Sequence, residues 1–223
     1  MAGERSAREE ILSRIRAANG ASGTAQDAAE DWAAIARPYR LPERFDREMI
    51  LELLEDRLRD YDAHTLRSSW AQLPQAIGAR LIERGNPRMV VPPGFDEEML
   101  PAGGRFEFDD GGSAAELDGF DGVLTTATLA IAETGTLVLQ NVAGQGRRAA
   151  TLVPDYHLCV VRIEDVVHSV PEAMERLRVT ADLPTTFVSG PSATADIEMT
   201  RIKGVHGPRF LDVILVRSER DRF

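Results

Sequence analysis

The chain has 223 residues, of which 43% are hydrophobic and 28% are charged, a balance typical of a globular protein. Its formal net charge is −10, so the surface would repel nucleic-acid phosphates and anionic lipids, and neither is an expected partner. With one cysteine, Cys159, the chain cannot form an internal disulfide, hold an iron–sulfur cluster or make a thiolate zinc site. Cys159 lies in the apolar run LCVV, which favours a buried structural thiol over a reactive one.

The N-terminal sequence MAGERSAREE is charged and lacks the apolar segment of a signal peptide. No apolar run approaches the ~20 residues that a membrane-spanning helix needs. We therefore expect a cytoplasmic protein.

The first part of the chain is predicted to be helical. Ser6 and Glu9 have the spacing of a capping box at the start of the first helix, and Asp46 is a candidate N-cap of the third. Apolar residues recur at i, i+3 and i+4 in the third helix, which is therefore strongly amphipathic. The predicted helices span 6–19, 28–36, 45–62 and 68–84.

From residue 88 onward, short apolar segments alternate with helical ones. Such alternation is typical of an α/β fold with a largely parallel sheet, in which ligands usually bind at the carboxyl ends of strands. We divide the chain into a helical N-terminal region, 1–85, and an α/β core, 86–223. Strands are predicted at 88–93, 151–163, 185–190 and 211–216, helices at 164–178 and 194–203, a loop over most of 99–122 and a turn at 204–208.

The segment SGPSATADIE (189–198) combines a strand end, a tight turn and a predicted helix start. Gly190 permits a sharp turn, Pro191 suits a helix entry, and Ser192 or Thr194 can cap the helix. Free N–H groups at a helix start favour an anion. The alternative, which the spacing alone favours, is an ordinary helix cap, since Asp196 can itself satisfy the helix dipole.

The turn AETGT (132–136) places Glu133 after an apolar stretch. A carboxylate beside an apolar wall can have a raised pKa and serve as an acid or a base. The alternative is a turn with a solvated glutamate.

Two of the four histidines have a suggestive context. His157 stands where a loop meets a strand, and His206 lies in the glycine-framed turn GVHGP. Either could face a ligand as an acid or a base, or could be a structural histidine. His64 and His168 have no supporting context, and no metal-binding spacing is present.

Basic residues near these turns could clamp a carboxylate or a phosphate. Arg147 and Arg148 follow a pair of glycines in GQGRRAA, and Lys203 and Arg209 flank His206. A solvated loop is the alternative for both groups.

The segments AIAETGTLVL, TLVPDYHLCVV, SGPSATADIE and GVHGP together resemble the lactate utilization protein C family, in their order and spacing, and that family is defined by the LUD domain. The resemblance spans nearly the whole chain and is strongest over 120–216. It implies a three-layer α/β/α fold similar to the NagB/RpiA/CoA-transferase-like group, with a helical N-terminal decoration.

The resemblance also implies a subunit of an iron–sulfur complex that oxidises L-lactate to pyruvate. Members of the family act alongside two partner proteins with iron–sulfur clusters, one of which has its own LUD domain. Because this chain has one cysteine, we expect no cofactor in the chain itself and the clusters only in the partners. Two alternatives stay open: a stand-alone enzyme resembling a CoA transferase or a sugar-phosphate isomerase, and a non-catalytic scaffold for iron–sulfur partners.

The residues that match the family pattern are expected to bind a small carboxylate or phosphorylated ligand at strand–helix turns. Glu133, Asp196 and His206 are the expected catalytic groups, which would move protons. The family often has a polar or basic residue where this chain has Ala193; if that side chain helps to hold an anion, binding here is weaker or uses Arg147, Arg148 or Lys203 instead. The expected ligand-binding residues are Thr134, Gly135, His157, Ser189, Gly190, Pro191, Ser192, Thr194, Glu198 and Gly207, to which the loop residues Arg147 and Arg148 are added.

Overall fold

A computed structural model describes residues 6–20, 25–36, 45–195, 201–204 and 206–217 of the chain. The chain forms two compact units, Met1–Arg40 and Leu41–Phe223. The first unit contains α1 (Ala7–Asn19) and α2 (Ala25–Ala34). The predicted capping box at the start of α1 is confirmed, because the side chains of Ser6 and Glu9 each accept a hydrogen bond from the other residue's backbone N–H.

The second unit is an α/β structure in which short strands alternate with helices. Among the described residues, none of the helices combines the length and the apolar character needed to cross a bilayer. In chain order, the elements of this unit are α3 (Arg47–Asp60), β1 (His64–Ser69), α4 (Leu73–Glu83), β2 (Arg88–Val91), β3 (Arg105–Phe108), α5 (Ala114–Leu117), β4 (Gly122–Thr126), β5 (Leu129–Ile131), β6 (Thr136–Gln140), β7 (Tyr156–Arg162), β8 (Val166–Val167), α6 (Val170–Leu177), β9 (Thr185–Ser189), β10 (Ala193–Ala195), β11 (Arg201–Lys203) and β12 (Phe210–Arg217).

Six strands form an all-parallel sheet in the order β1-β12-β7-β4-β2-β3. The α/β fold class is therefore confirmed. The edge strand β1 lies inside the region for which the sequence predicts only helices. The predicted helix 68–84 is correspondingly wrong at its start, because Ser68 and Ser69 pair with β12 and α4 begins only at Leu73.

Helices cover both faces of this sheet. One face packs against α4, and the opposite face packs against α3 together with a second sheet. The buried helix residues are Leu73, Ile77 and Leu81 on the α4 side and Leu51, Leu54 and Leu58 on the α3 side.

The second sheet has four strands in the order β8-β5-β6-β9. β5 and β6 form an antiparallel hairpin around the turn that contains Glu133, and β9 pairs antiparallel with β6. Its outer face packs against α6. Because β4, β5 and β6 are buried on both faces, residues 123–139 are apolar without alternation, which explains why the sequence does not separate them into strands.

The helix predicted over 194–203 is wrong at both ends. Ala193–Ala195 and Arg201–Lys203 are instead the antiparallel strands β10 and β11. The backbone N–H of Gly204 donates to the carbonyl of Ser192 at 2.9 Å, so the two ends of the segment are held together as in a hairpin. Residues 196–200 lie outside the described residues.

Two other local predictions need correction. The helix predicted over 164–178 begins only at Val170, after β8, and Pro171 is tolerated because it lies in the first turn of α6. The predicted loop 99–122 contains β3 and the short helix α5, which opens with its own capping box at Ser113.

Candidate ligand-binding site

A cavity of about 240 Å³ lies at the amino ends of β7 and β12, beside the carboxyl end of β9. This position differs from the expected one, because ligands of parallel sheets usually bind at the carboxyl ends of the strands. The cavity brings together many of the site residues predicted from the sequence, namely Arg148, His157, Ser189, Gly190, Pro191, Ser192, His206 and Gly207.

His157 is the most deeply placed polar residue of the cavity, with 1% of its surface exposed. Its Nε2 lies 2.8 Å from the hydroxyl of Thr125, and that hydroxyl donates a weak hydrogen bond to Cys159 Sγ at 3.6 Å. Burial, aided by the positive charge of Arg148, lowers the pKa of His157 to about 4. The imidazole is therefore neutral at neutral pH.

Cys159 lies on the same face of β7 as His157 and is fully buried. Burial raises the pKa of its thiol to about 12, although the hydrogen bond from Thr125 acts in the opposite direction. The thiol therefore stays protonated, which supports the structural role expected for Cys159.

The neighbouring residues Arg147 and Arg148 have opposite surroundings. Arg147 makes a bidentate ion pair with Asp109, with N–O distances of 2.8 and 2.9 Å, and this pairing lowers the pKa of the carboxyl. Arg148 lines the cavity, and its Nη1 donates to the carbonyl and hydroxyl of Thr151 at 3.2 and 3.1 Å. Over the described parts of the chain, no carboxylate pairs with Arg148.

The turn after β9 needs glycine at position 190. Gly190 has φ +76°, and a Cβ there would lie 2.4 Å from Cβ of Tyr61. A side chain is therefore excluded both by the backbone conformation and by the packing.

Ser192 joins this turn to the turn that carries His206. Its N–H donates to the carbonyl of Pro208 at 2.8 Å, and its hydroxyl accepts from the N–H of His206 at 3.0 Å. The sequence predicts a helix start with free N–H groups here, but the structure has two turns that are joined by hydrogen bonds. His206 itself is exposed at the edge of the cavity.

A chain of hydroxyl groups connects the ETGT turn to the cavity. Thr134 Oγ1 and Thr136 Oγ1 are 2.7 Å apart, and Thr136 Oγ1 is 2.7 Å from Ser189 Oγ. Thr134 is thereby linked to the site without lining it. Gly135 contacts Arg57 of α3 closely, where a Cβ would come within 2.8 Å, so this glycine serves the packing of the turn.

The remaining predicted residues lie elsewhere. Glu133 is exposed in the β5–β6 turn, where its N–H donates to the carbonyl of His168 at 3.0 Å, and it does not line this cavity. Asp196 and Glu198 are outside the described residues, as are the side chains of Thr194 and Lys203. The roles predicted for these residues remain predictions, and Arg209 pairs with Asp155.

Thr125, Thr136 and Thr151 are the polar groups of the site that the sequence analysis misses. Each lies in or next to a buried segment, and a single threonine in such a segment carries no local signal. The pairing of distant strands brings Thr125 to His157 and Thr136 to Ser189, whereas Thr151 meets Arg148 within the same short turn. In the described ranges, no group of three or more histidine, cysteine or acidic residues could hold a metal ion.

The comparisons with known proteins agree with this architecture. The LUD domain model matches residues 47–216, which comprise the helices α3 and α4, both sheets and the cavity. The chain therefore belongs to the LUD domain family.

Individual proteins of known sequence or structure are also similar to this chain. The chain is 46% identical to the lactate utilization protein C of Deinococcus radiodurans over 183 residues, which cover 80% of this chain and 85% of the relative. It is 33% identical to the lactate utilization protein C of Bacillus subtilis over 99 residues, covering 42% and 41% of the two chains. A crystal structure of a DUF162 family protein from Deinococcus radiodurans is similar with a TM-score of 0.67 and 43% identity, covering 77% of this chain and 99% of the other.

Proposed function

We propose that this chain acts in lactate utilization and binds a small carboxylate in the cavity lined by Arg148 and His157. The single observation that carries the proposal is the guanidinium of Arg148, which has no carboxylate partner among the described residues, beside the neutral imidazole of His157 in one cavity. The names of the relatives from Deinococcus radiodurans and Bacillus subtilis support lactate as the ligand to test first.

The chemistry of the cavity suits such a ligand. A guanidinium binds a carboxylate through two parallel hydrogen bonds, and the hydroxyls of Ser189 and Thr151 are further polar groups along the wall. The volume of about 240 Å³ lies below the range of drug-sized pockets, which favours a ligand of few atoms. In a chain with a net charge of −10, an anion needs a local positive group of this kind.

We further propose that the chain is a subunit of a cytoplasmic L-lactate-oxidising complex whose iron–sulfur clusters are held by partner proteins. Cys159, the one cysteine of the chain, is buried and protonated, so it supports a division of labour in which this chain binds the ligand and the partners accept electrons. We propose that His206, at the edge of the cavity, moves protons. The proton-transfer roles expected for Glu133 and Asp196 remain part of this proposal.

The test compares the adjacent arginines. Arg148→Gln should weaken the binding of L-lactate, measured by calorimetry, at least about tenfold, because a charge-assisted contact to the carboxylate is lost. Arg147→Gln is the matched control, since Arg147 is occupied by Asp109 outside the cavity, and its affinity should stay within about twofold.

Growth on lactate as the carbon source gives the second readout. A strain carrying Arg148→Gln should grow poorly and a strain carrying Arg147→Gln normally, with equal protein levels in both. The proposal is wrong if the folded wild-type chain does not bind L-lactate, or if both variants bind it as well as the wild type does.

A further inference from the structure

We propose that Thr125 and Cys159 are positioning residues that hold His157 in the tautomer with its hydrogen on Nε2, so that Nδ1 offers a hydrogen-bond acceptor to the cavity. This inference rests on the proposed function. It predicts that the ligand presents a hydroxyl to Nδ1, and hence that the site prefers an α-hydroxycarboxylate to the matching α-oxocarboxylate.

The three side chains meet because of the register of the parallel sheet. Thr125 of β4 pairs with Cys159 of β7, and His157 precedes Cys159 by two residues, so all three lie on the same face. Their exposed fractions are 0 to 1%. Polar groups buried to this extent need partners, and here they supply them to one another.

The two contacts of the Thr125 hydroxyl are the basis on which we assign the tautomer. The hydroxyl of Thr125 has one hydrogen, which it donates to Cys159 Sγ. Toward His157 it then accepts at 2.8 Å, and for this contact, whose donor depends on the tautomer, we assign the hydrogen of the imidazole to Nε2. In a neutral imidazole the other nitrogen, Nδ1, carries the lone pair.

Arg148 reinforces this arrangement from the cavity side. Its positive charge acts on the imidazole, and both residues line the same cavity. A lone pair on Nδ1 is attracted by a nearby cation, whereas an N–H group would be repelled by it. The contact that the described residues make with the His157 imidazole is through Nε2, so Nδ1 is the nitrogen that we assign to the ligand.

Two ligand groups are then recognised at once. The carboxylate binds Arg148, and the hydroxyl on the adjacent carbon donates to Nδ1 of His157. In an α-oxocarboxylate, the carbonyl oxygen has no hydrogen to donate and faces the lone pair of Nδ1, which leaves two acceptors unpaired. A site built to pair with a hydroxyl discriminates strongly against an analogue without one.

The tautomer can be read by nuclear magnetic resonance of the chain with ¹⁵N-labelled histidine. His157→Gln identifies the signals of His157 by their disappearance. We expect a protonated Nε2 and an unprotonated Nδ1 in the wild type and in Thr125→Ser, which keeps the hydroxyl. Thr125→Val, which removes it, should populate both tautomers. A protonated Nδ1 in the neutral wild-type ring would overturn the proposal.

The preference is measured by titrating L-lactate, pyruvate and propionate. The wild type and Thr125→Ser should bind L-lactate about tenfold tighter than pyruvate, with propionate also weaker because it lacks the hydroxyl. In Thr125→Val the ratio of lactate to pyruvate affinity should fall below about threefold, because the tautomer is no longer fixed. If Thr125→Val does not fold, the proposal is decided by the wild type alone, from its ratio of L-lactate to pyruvate affinity and from its histidine spectrum.

The outcomes separate this inference from the proposed function. Equal affinity of the wild type for L-lactate and pyruvate would overturn the inference and leave carboxylate binding intact. An absence of binding of all three carboxylates would instead overturn the proposed function, while the spectrum would still decide the tautomer of His157.

Discussion

Two groups of polar residues, one beside each face of β7 and β12, differ in how the charge of their arginines is compensated. On the face toward α4, Asp212 is 1% exposed and receives hydrogen bonds from Arg80, Arg84 and the hydroxyl of Tyr156, at 2.8 to 3.0 Å. Beside the other face, Arg148 is exposed in the loop that lines the cavity, and its charge lacks a carboxylate partner in the described structure. A charge that the protein itself compensates contributes to stability, whereas an uncompensated one at a cavity is available to a ligand.

The pKa of Asp212 expresses this compensation. Burial alone would raise it, but the hydrogen bonds from Arg84 and Arg80 outweigh the effect and lower it. For Tyr156, burial and the neighbouring carboxylate of Asp212 both raise the pKa, so the hydroxyl remains a donor to Asp212. The cluster is therefore complete without a ligand.

Removing the centre of the compensated cluster should have the largest effect. Asp212→Ala leaves Arg80 and Arg84 without their shared carboxylate, and we expect the free energy of unfolding in urea to fall by about 4 kcal/mol. Asp118→Ala, at an exposed acidic residue of the adjoining cavity, should change it by less than about 0.5 kcal/mol. A loss of under about 1 kcal/mol in Asp212→Ala would show that the cluster does not stabilise the fold.

The pH dependence of stability should come next. The pKa of His157 is about 4 in the folded chain against an ordinary value of 6.5. Between these values the unfolded chain binds a proton that the folded chain does not, so the free energy of unfolding falls by up to about 3 kcal/mol as the pH falls from 6.5 to about 4.

The variant His157→Gln should lack this part of the pH dependence in urea unfolding measured at a series of pH values. Asp212 acts in a lower range, since its lowered pKa gives a contribution that is present above 3.8 and lost as the pH falls further. An unchanged slope between pH 6.5 and 4 in His157→Gln would contradict the neutral buried state of this histidine.

The hydroxyl chain should have the smallest effect. Thr136→Val separates Thr134 from Ser189, so we expect a loss of about 1 kcal/mol in stability and a reduction of about threefold in L-lactate affinity. Thr128→Val removes a comparable hydroxyl, which donates to Gln145 at 2.9 Å, and should reduce stability without changing affinity. Equal L-lactate affinity in Thr136→Val and Thr128→Val would show that Ser189 is not part of the binding site.

The sequence predicts the α/β class because the alternation of apolar segments and helices is clear from residue 88 onward. It misses β1, since HTLRSS is a polar edge strand that pairs on one side only and resembles the start of the next helix. It also misses β10 and β11, because the helix-forming residues between them conceal a pairing that depends on Ser192 and Gly204.

The sequence likewise predicts only the part of the site that has a local signal. Arg148, His157 and the 189–192 turn stand out as polar residues next to glycines or strand ends, and the structure brings them to one cavity. The distinction between Arg147 and Arg148 is invisible in the sequence, because it depends on Asp109 at the end of another strand. The contact of Thr125 with His157 likewise follows from sheet register and not from local pattern.

A crystal structure with L-lactate tests the central claim most directly. We predict the carboxylate of the ligand at the guanidinium of Arg148 and its hydroxyl within hydrogen-bond distance of His157 Nδ1. Lactate bound only in the cavity beside Arg147 and Asp109, or an empty cavity at His157 in crystals grown at saturating lactate, would contradict the account.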